Sequence, residues 1–413
     1  MNSPFLGRSR RALQAAASLL DELNVDQEKP VDVFQVIEEL GLWLVFQPLD
    51  ALLGAVLPQG NGGIVITTER RSTIQRYTAA HEIGHWELDH NQPVFDTDDD
   101  VFRVSGNERE RLAQYFASYF LMPPPLVHAV ASRHGIRRSE TVSPAQAYLA
   151  ARDMRVSYEA ALRQMNNLQV ITERQRDTLL QTPPLRAKQD LAYGHRPETG
   201  NADVWTLDVR SPSQQIDVLI DDEIVIALPE NRSTGYCWLD DNLNAQRAAR
   251  RAHPAPPPLL AESGTSAPAD SQTASTAARG RTERTAGDDS LQVVFDAYEP
   301  GWAPVTSRNA PAVRRHLAAA DHTEGAPLEL SAADAQVPST PGVGATGRRW
   351  MALKARAEGT STFQLHYAAP FEPRTPPAAT FTVEATVQPA PHVWHSRHLV
   401  RALLDDTDDG SPR

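Results

Sequence analysis

The chain has 413 residues, 32 of them proline, with an aromatic fraction of 7% and a formal net charge of −12. Its length leaves room for two or three domains. The acidic balance argues against a nucleic-acid grip as the main activity, and no stretch approaches the ~20 apolar residues of a membrane span. A single cysteine, Cys237, means that no intrachain disulfide can form; this fits a reducing compartment, so a cytoplasmic location is expected.

Arg8 to Arg11 followed by Ala12–Leu20 has the outline of a signal peptide. Gln14 interrupts the apolar run, however, and Asp21 and Glu22 continue it as an amphipathic helix entering the first domain. Further on, residues 73–80 contain no Gly or Pro and lead into His81-Glu82-Ile83-Gly84-His85 as one helix. Histidines four apart differ by roughly 40° in direction, so both imidazoles leave one face. That spacing suits two corners of a tetrahedral zinc site, with Glu82 as general base toward a metal-bound water. Ala79, Ala80, Ile83 and Gly84 are apolar or small, as in a helix packed inside a domain. A buried carboxylate beside two histidines is costly without a metal or partner.

A catalytic zinc needs a third protein ligand. His90 would lie roughly 180° around the helix from His81, and Leu88 stands where a chain-turning glycine would deliver a third histidine. His90 therefore reads as a surface or helix-end residue. The next helix, predicted over 107–121, ends before Met122 and three prolines. Leu112, Phe116, Tyr119 and Phe120 form its apolar face, while Glu110, Ala113 and Ala117 form a narrow stripe where another helix can approach. Glu108 projects over Leu112 and Tyr115. Periodicity favours Glu110 over Glu108 only weakly, since either can be a solvated residue of a helical first turn. Tyr77, Tyr115 and His90 are the candidates for stabilising a tetrahedral oxyanion.

Gln75-Arg-Tyr-Thr-Ala-Ala-His-Glu-Ile-Gly-His85, then Glu110-x-x-Ala-Gln-x-Phe-Ala, then Leu121-Met-Pro123 resembles the ImmA/IrrE family of zinc metallopeptidases. The resemblance covers roughly residues 10–175 and includes Pro30-Val-Asp-Val-Phe-Gln-Val-Ile-Glu-Glu-Leu-Gly41 and Val156-Ser-Tyr-Glu-Ala-Ala-Leu-Arg-Gln-Met-Asn-Asn-Leu168. It implies that His81, His85 and Glu110 bind zinc and that Glu82 is the catalytic base. The family usually has Asn where this chain has Gln114, which can still hydrogen-bond around the ligands.

Near residue 182 the helical periodicity stops, and residues 182–202 read as a linker. Strand-like alternation takes over from Val204. Ile216, Val218 and Ile220 alternate, as do Ile224, Ile226 and Leu228, with Asp221-Asp222 as a turn. Later strands are predicted at Leu291–Phe295, Arg349–Ala355, Ser361–Tyr367 and Thr380–Val387, the pattern of a small sandwich. Residues 252–290, rich in Pro, Ser, Thr and Ala, read as a disordered insertion, and 307–340 as a long loop. Cys237 with His366 is rejected as a nucleophile pair, because a lone cysteine between aromatic residues in a strand is usually a small buried one. Residues 391–413 read as a tail whose stretch 402–409 is acidic.

Three pieces of this half resemble the chagasin-like family of cysteine-protease inhibitors: Leu228-Pro-Glu-Asn-Arg-Ser-Thr-Gly-Tyr-Cys-Trp238, Gly342-Val-Gly-Ala-Thr-Gly347 before Trp350, and Gly359-Thr-Ser-Thr-Phe-Gln-Leu-His-Tyr-Ala-Ala-Pro-Phe-Glu372. The resemblance implies an immunoglobulin-like sandwich whose loops wedge into papain-like proteases, through Asn231, Thr234, Gly235, Tyr236 and Phe371. Arg232, Ala369 and Phe371 depart from the family pattern, and Arg232, in place of a stiffening proline, raises the entropy cost of fixing the first loop.

The expected fold is therefore α+β and multidomain: a mainly helical zincin-like metallopeptidase domain over 1–181, the linker 182–202, a β-sandwich over 203–390 and the tail 391–413. The expected activity is zinc-dependent endopeptidase. The first resemblance implies a regulatory protein as substrate, often a helix-turn-helix repressor, in a stress or mobile-element response, with the sandwich as recognition or regulatory module. The alternative is an interaction protein whose β-domain binds a protease or regulator and whose metal domain is a scaffold. Neither reading includes direct nucleic-acid binding or a membrane.

Overall fold

The computed structural model describes residues 4–50, 52–58, 60–89, 94–96, 108–210, 213–249, 290–299, 347–373, 375–390, 392, 393 and 395. Outside them lie His90, the insertion expected at 252–290 apart from Ser290, the loop at 307–340, Gly342 to Thr346 of the glycine-rich stretch, and the acidic run 402–409. The described residues divide into two compact units, one holding those up to Val204 together with residues 389, 390, 392, 393 and 395, the other holding the strands between Trp205 and Gln388.

The first unit opens with helices α1 (Pro4–Glu22) and α2 (Val33–Glu39), then strands β1 (Trp43–Gln47), β2 (Gly54–Leu57) and β3 (Gly63–Thr67). Helix α3 (Ser72–Asp89), strand β4 (Val94–Asp96) and helix α4 (Glu108–Leu121) follow. Five shorter helices complete it: α5 (Pro124–Arg133), α6 (Pro144–Asp153), α7 (Tyr158–Asn167), α8 (Glu173–Leu180) and α9 (Pro184–Leu191). Helix starts follow local chemistry. Asp32 Oδ1 accepts from the amides of Phe34 and Gln35 at the head of α2. Ser143 with Gln146, and Thr172 with Gln175, form reciprocal capping boxes at α6 and α8.

The sheet of this unit has the order β1-β3-β2-β4. β3 runs parallel to β1 and antiparallel to β2, and β4 is antiparallel to β2. Leu20, Ile37, Ile64, Ile66, Ile83, Phe116 and Phe120 are buried in one apolar core shared by α1, α2, the sheet, α3 and α4. Four strands of three to five residues are more than the mainly helical domain read from the sequence. Runs that short show no period long enough to separate them from loops.

Residues 182–202 are not a linker. Helix α9 occupies Pro184–Leu191 and buries Ala187, Lys188 and Leu191. Lys188 Nζ donates to the carbonyls of Gly200 at 3.1 Å and Ala202 at 2.6 Å. Tyr148 Oη of α6 donates to Asp203 at 2.7 Å and accepts from the Val204 amide at 3.0 Å. The polar string that looked like a connector is the outer face of a packed helix. Nor is the stretch from 391 a free tail at its start: His395 is buried against Phe34 and Phe46, with Nδ1 3.4 Å from Glu38 Oε1.

The second unit is a sandwich of two four-stranded sheets. Strands β5 (Val204–Asp208), β6 (Ser213–Leu219), β7 (Glu223–Glu230) and β8 (Cys237–Asp240) lead to helix α10 (Asp241–Ala249), followed by β9 (Leu291–Glu299), β10 (Gly347–Ala355), β11 (Gly359–Ala368) and β12 (Ala379–Gln388). One sheet has the order β5-β7-β10-β9, the other β6-β12-β11-β8. Ile224, Ile226 and Leu353 of the first meet Phe363, Leu365 and Val383 of the second in a common core. Along β12, Phe381, Val383, Ala385 and Val387 point inward in strict alternation. A one-residue slip would expose them, at roughly 1.5–3 kcal/mol for each large side chain. Helix α10 was not expected; Asp240 Oδ1 caps it through the Leu243 amide at 2.7 Å, and Arg247 ties it to the carbonyls of Glu372 and Thr375.

Candidate metal centre

Helix α3 carries His81, Glu82 and His85 on a segment that is buried from Ala79 to His85. Gly84 lets α4 come close: a Cβ there would stand 3.2 Å from the Ala113 Cα and 3.1 Å from Phe116 Cδ1. Ala113 and Ala117 line the contact and are fully buried, so the stripe of small residues acts as the sequence suggested. The close approach brings the short Glu110 side chain to the histidines. Glu110 itself is 5% exposed and Glu108 only half-buried, and this difference separates the two carboxylates that periodicity left open.

Glu110 Oε2 lies 3.3 Å from His81 Nε2 and 3.3 Å from His85 Nε2. The two ring nitrogens are 3.1 Å apart, with the rings edge to face at 79°. Donors of a tetrahedral ion bound at about 2.0–2.1 Å stand roughly 3.3 Å from one another, so this triangle has the edges of such a site. A cation serves all three, and two imidazoles with a carboxylate form a donor set suited to zinc. No other cluster of three or more His, Cys, Asp or Glu side chains with metal-binding separations occurs among the described residues.

Tyr77 lies one turn before His81, its ring stacked on that imidazole at 6.5 Å. Burial pushes its phenol up to about 12, against a lowering hydrogen bond with Ser118, so it remains a proton donor at neutral pH. Gln114 is half-buried one turn beyond Glu110 on α4, and Tyr115 is half-buried beside it. One neighbour that the motif does not announce is Gly54 on β2, which packs against the Glu82 carboxylate. The signal was an isolated glycine opening an apolar run, Gly-Ala-Val-Leu.

In the sandwich the five loop residues singled out from the sequence come together. The Asn231 amide donates to Tyr367 Oη at 3.2 Å, and Thr234 Oγ1 donates to the Asn231 carbonyl at 2.7 Å. Gly235 takes the left-handed conformation with φ 79°, where other residues are disfavoured. A Cβ there would also strike Phe371 Cε1 at 2.5 Å. Tyr236 leans on Tyr367 at 5.6 Å, and Phe371 is 66% exposed. His366 faces Asp241 at 2.7 Å, and burial pushes the Cys237 thiol up, so the two do not form a nucleophile pair.

Residues 37–166 match the family model of the IrrE N-terminal-like domain, Peptidase_M78. No curated protein matches the chain. The solved structures that it resembles include the cysteine protease inhibitor EhICP2 from Entamoeba histolytica, at 16% identity and a TM-score of 0.24, over 46% of this chain and 100% of that one. Amebosin aligns at 15% identity and a TM-score of 0.19, over 45% and 99% of the two chains. PbICP-C, solved in complex with falcipain-2, aligns at 15% identity and a TM-score of 0.20, over 45% and 91%.

Proposed function

We propose that the chain is a zinc-dependent endopeptidase of the cytoplasm that cleaves a regulatory protein, with a helix-turn-helix repressor as the favoured substrate class and the sandwich as recognition or regulatory module. The observation that carries this reading is the buried triangle of His81 Nε2, His85 Nε2 and Glu110 Oε2, with edges of 3.1, 3.3 and 3.3 Å. The match of residues 37–166 to a metallopeptidase family supports the reaction class. His81, His85 and Glu110 would hold the ion, which supplies Lewis-acid polarisation of a peptide carbonyl and of water.

The protein's own residues do the rest. Glu82 follows the first ligand on α3 and is fully buried. It takes a proton from the attacking water as the oxygen adds to the scissile carbonyl carbon, and returns it to the amine nitrogen as the C–N bond breaks. Water exclusion strengthens these electrostatic contacts, and His81, Glu82 and His85 are each no more than 1% exposed. Incubation of wild type and Glu82→Gln with a cell lysate, followed by mapping of new protein termini, tests the reading. Termini are expected with wild type only, while both proteins hold one zinc per chain. The same termini in both samples would overturn it.

A second reading rests on the exposed Phe371 ring, seated on Gly235 beside Asn231, Thr234 and Tyr236. An apolar side chain held out on a fixed turn suits a protein contact, and a papain-like protease is the partner class this reading names. Stoichiometric inhibition of papain by the full-length Glu82→Gln chain would favour it; absence of any complex would remove it.

A further inference from the structure

We infer that Gly54 is a positioning residue for Glu82: its missing side chain makes the space in which the catalytic carboxylate rests. The inference builds on the peptidase reading above.

Gly54 opens β2, pairs with Ile66 of β3 and Asp96 of β4, and is buried. Its backbone is not in the left-handed region, so no turn requires a glycine. A glycine within a strand weakens it, and often marks a place where something must come close. Here the close neighbours are explicit. A Cβ at this position would stand 2.5 Å from Thr78 Cγ2, 2.7 Å from Glu82 Oε1 and 3.2 Å from the Val65 carbonyl oxygen. Thr78 and Glu82 are one turn apart on α3 and fully buried, so neither can swing into solvent. The Val65 oxygen belongs to the backbone of β3 and yields only if the sheet moves. The strand is thus a wall against which the carboxylate lies, and a methyl group at 54 must displace the carboxylate, the strand or both. None of the three atoms belongs to His81, His85 or Glu110, so metal binding is separable from this contact.

The Gly54→Ala chain tests it. Expected is a fall in kcat of about a hundredfold, the size a misplacement near 1 Å brings, with KM within about threefold and the zinc content of wild type. A melting series gives a readout that needs no catalysis. Gly54→Ala is introduced into wild type, into Thr78→Ala, and into Thr78→Ala/Glu82→Ala. The drop in Tm should be recovered partly in the second background and further in the third, where only the 3.2 Å approach to the Val65 carbonyl oxygen remains. Full recovery with Thr78→Ala alone, or an unchanged kcat, overturns the inference. If Gly54→Ala does not fold, folding restored only in the third background supports it, and no restoration there overturns it. If wild type cleaves nothing, the peptidase reading fails, while the melting series still decides whether the carboxylate rests on Gly54.

Discussion

Both units bury charged side chains, and two groups of them are arranged in contrasting ways. In the sandwich Glu230, Arg349 and Lys354 each meet a complement. Glu230, 1% exposed, accepts from Arg232 Nε at 2.6 Å and from the Trp238 amide at 2.9 Å. Arg349 grips Asp296 with two parallel bonds of 2.8 and 2.6 Å and donates to the Trp238 carbonyl, and Lys354 meets Asp221 at 3.0 Å. Around α3 and α4, by contrast, the Nε2 atoms of His81 and His85 and Oε2 of Glu110 converge to within 3.3 Å of one another. Burial of charge is therefore no mark of function by itself, since paired burial fixes strands in register. Convergence of donor atoms in a dry place is a different arrangement, one whose spacing suits a cation.

The contrast can be broken at either end. The largest effect is expected from Glu110→Ala, which removes one of the three proposed ligands and should lower zinc affinity by more than about 100-fold, read as metal retained after dialysis. Retention at the wild-type level would make the triangle an ordinary polar cluster. Next, Glu230→Ala strips a buried amide of its acceptor and should cost about 2–3 kcal/mol in denaturant unfolding, with zinc content unchanged. A loss of zinc with it would show that the two kinds of burial are not separable.

Asp153 sharpens the comparison inside the first unit. Its carboxyl is pushed up by burial, yet it lies well below its ordinary 3.8 because His134, at 2.7 Å, and Arg152 stabilise the charge. A depressed folded-state value contributes stability that is present above 3.8 and lost as the pH falls below it toward the folded value. Asp153→Asn should thus cost about 1.5 kcal/mol at pH 7, and the gap to wild type should close on acidification below 3.8. A gap independent of pH would remove the charge from the explanation. The smallest effect belongs to Phe371→Ala, which should leave unfolding within about 0.5 kcal/mol, because 66% of that residue is already in water; any change should appear only in partner binding.

The clustering of His81 and His85 on one buried helix face and the strand alternation of β11 and β12 were legible because each is a local pattern with a fixed period. Glu110 needed more than periodicity. Its spacing from His85 is set by a helix crossing that Gly84, Ala113 and Ala117 permit, and periodicity could not tell Glu110 from Glu108. Strands β1 to β4 were missed because three to five residues carry too little alternation. Helix α10 was missed because only Arg247 of its residues is buried, so it has no apolar stripe to read. Gly54 stands out only as a glycine opening an apolar run, and its partners do not, because what it touches lies 24 and 28 residues further along the chain, at Thr78 and Glu82.

The fastening of α9 bears on how the chain can be cut. A fragment ending at residue 181 loses Lys188 from the carbonyls of Gly200 and Ala202, and leaves the Tyr148 hydroxyl without Asp203 and Val204. It also bares the surface that Ala187 and Leu191 cover. Such a truncation would be expected to unfold or precipitate whatever the state of the His81–His85–Glu110 cluster. A cut after Val204 keeps these contacts but still removes His395 from Phe34, Phe46 and Glu38, so the first unit is not one continuous stretch of chain.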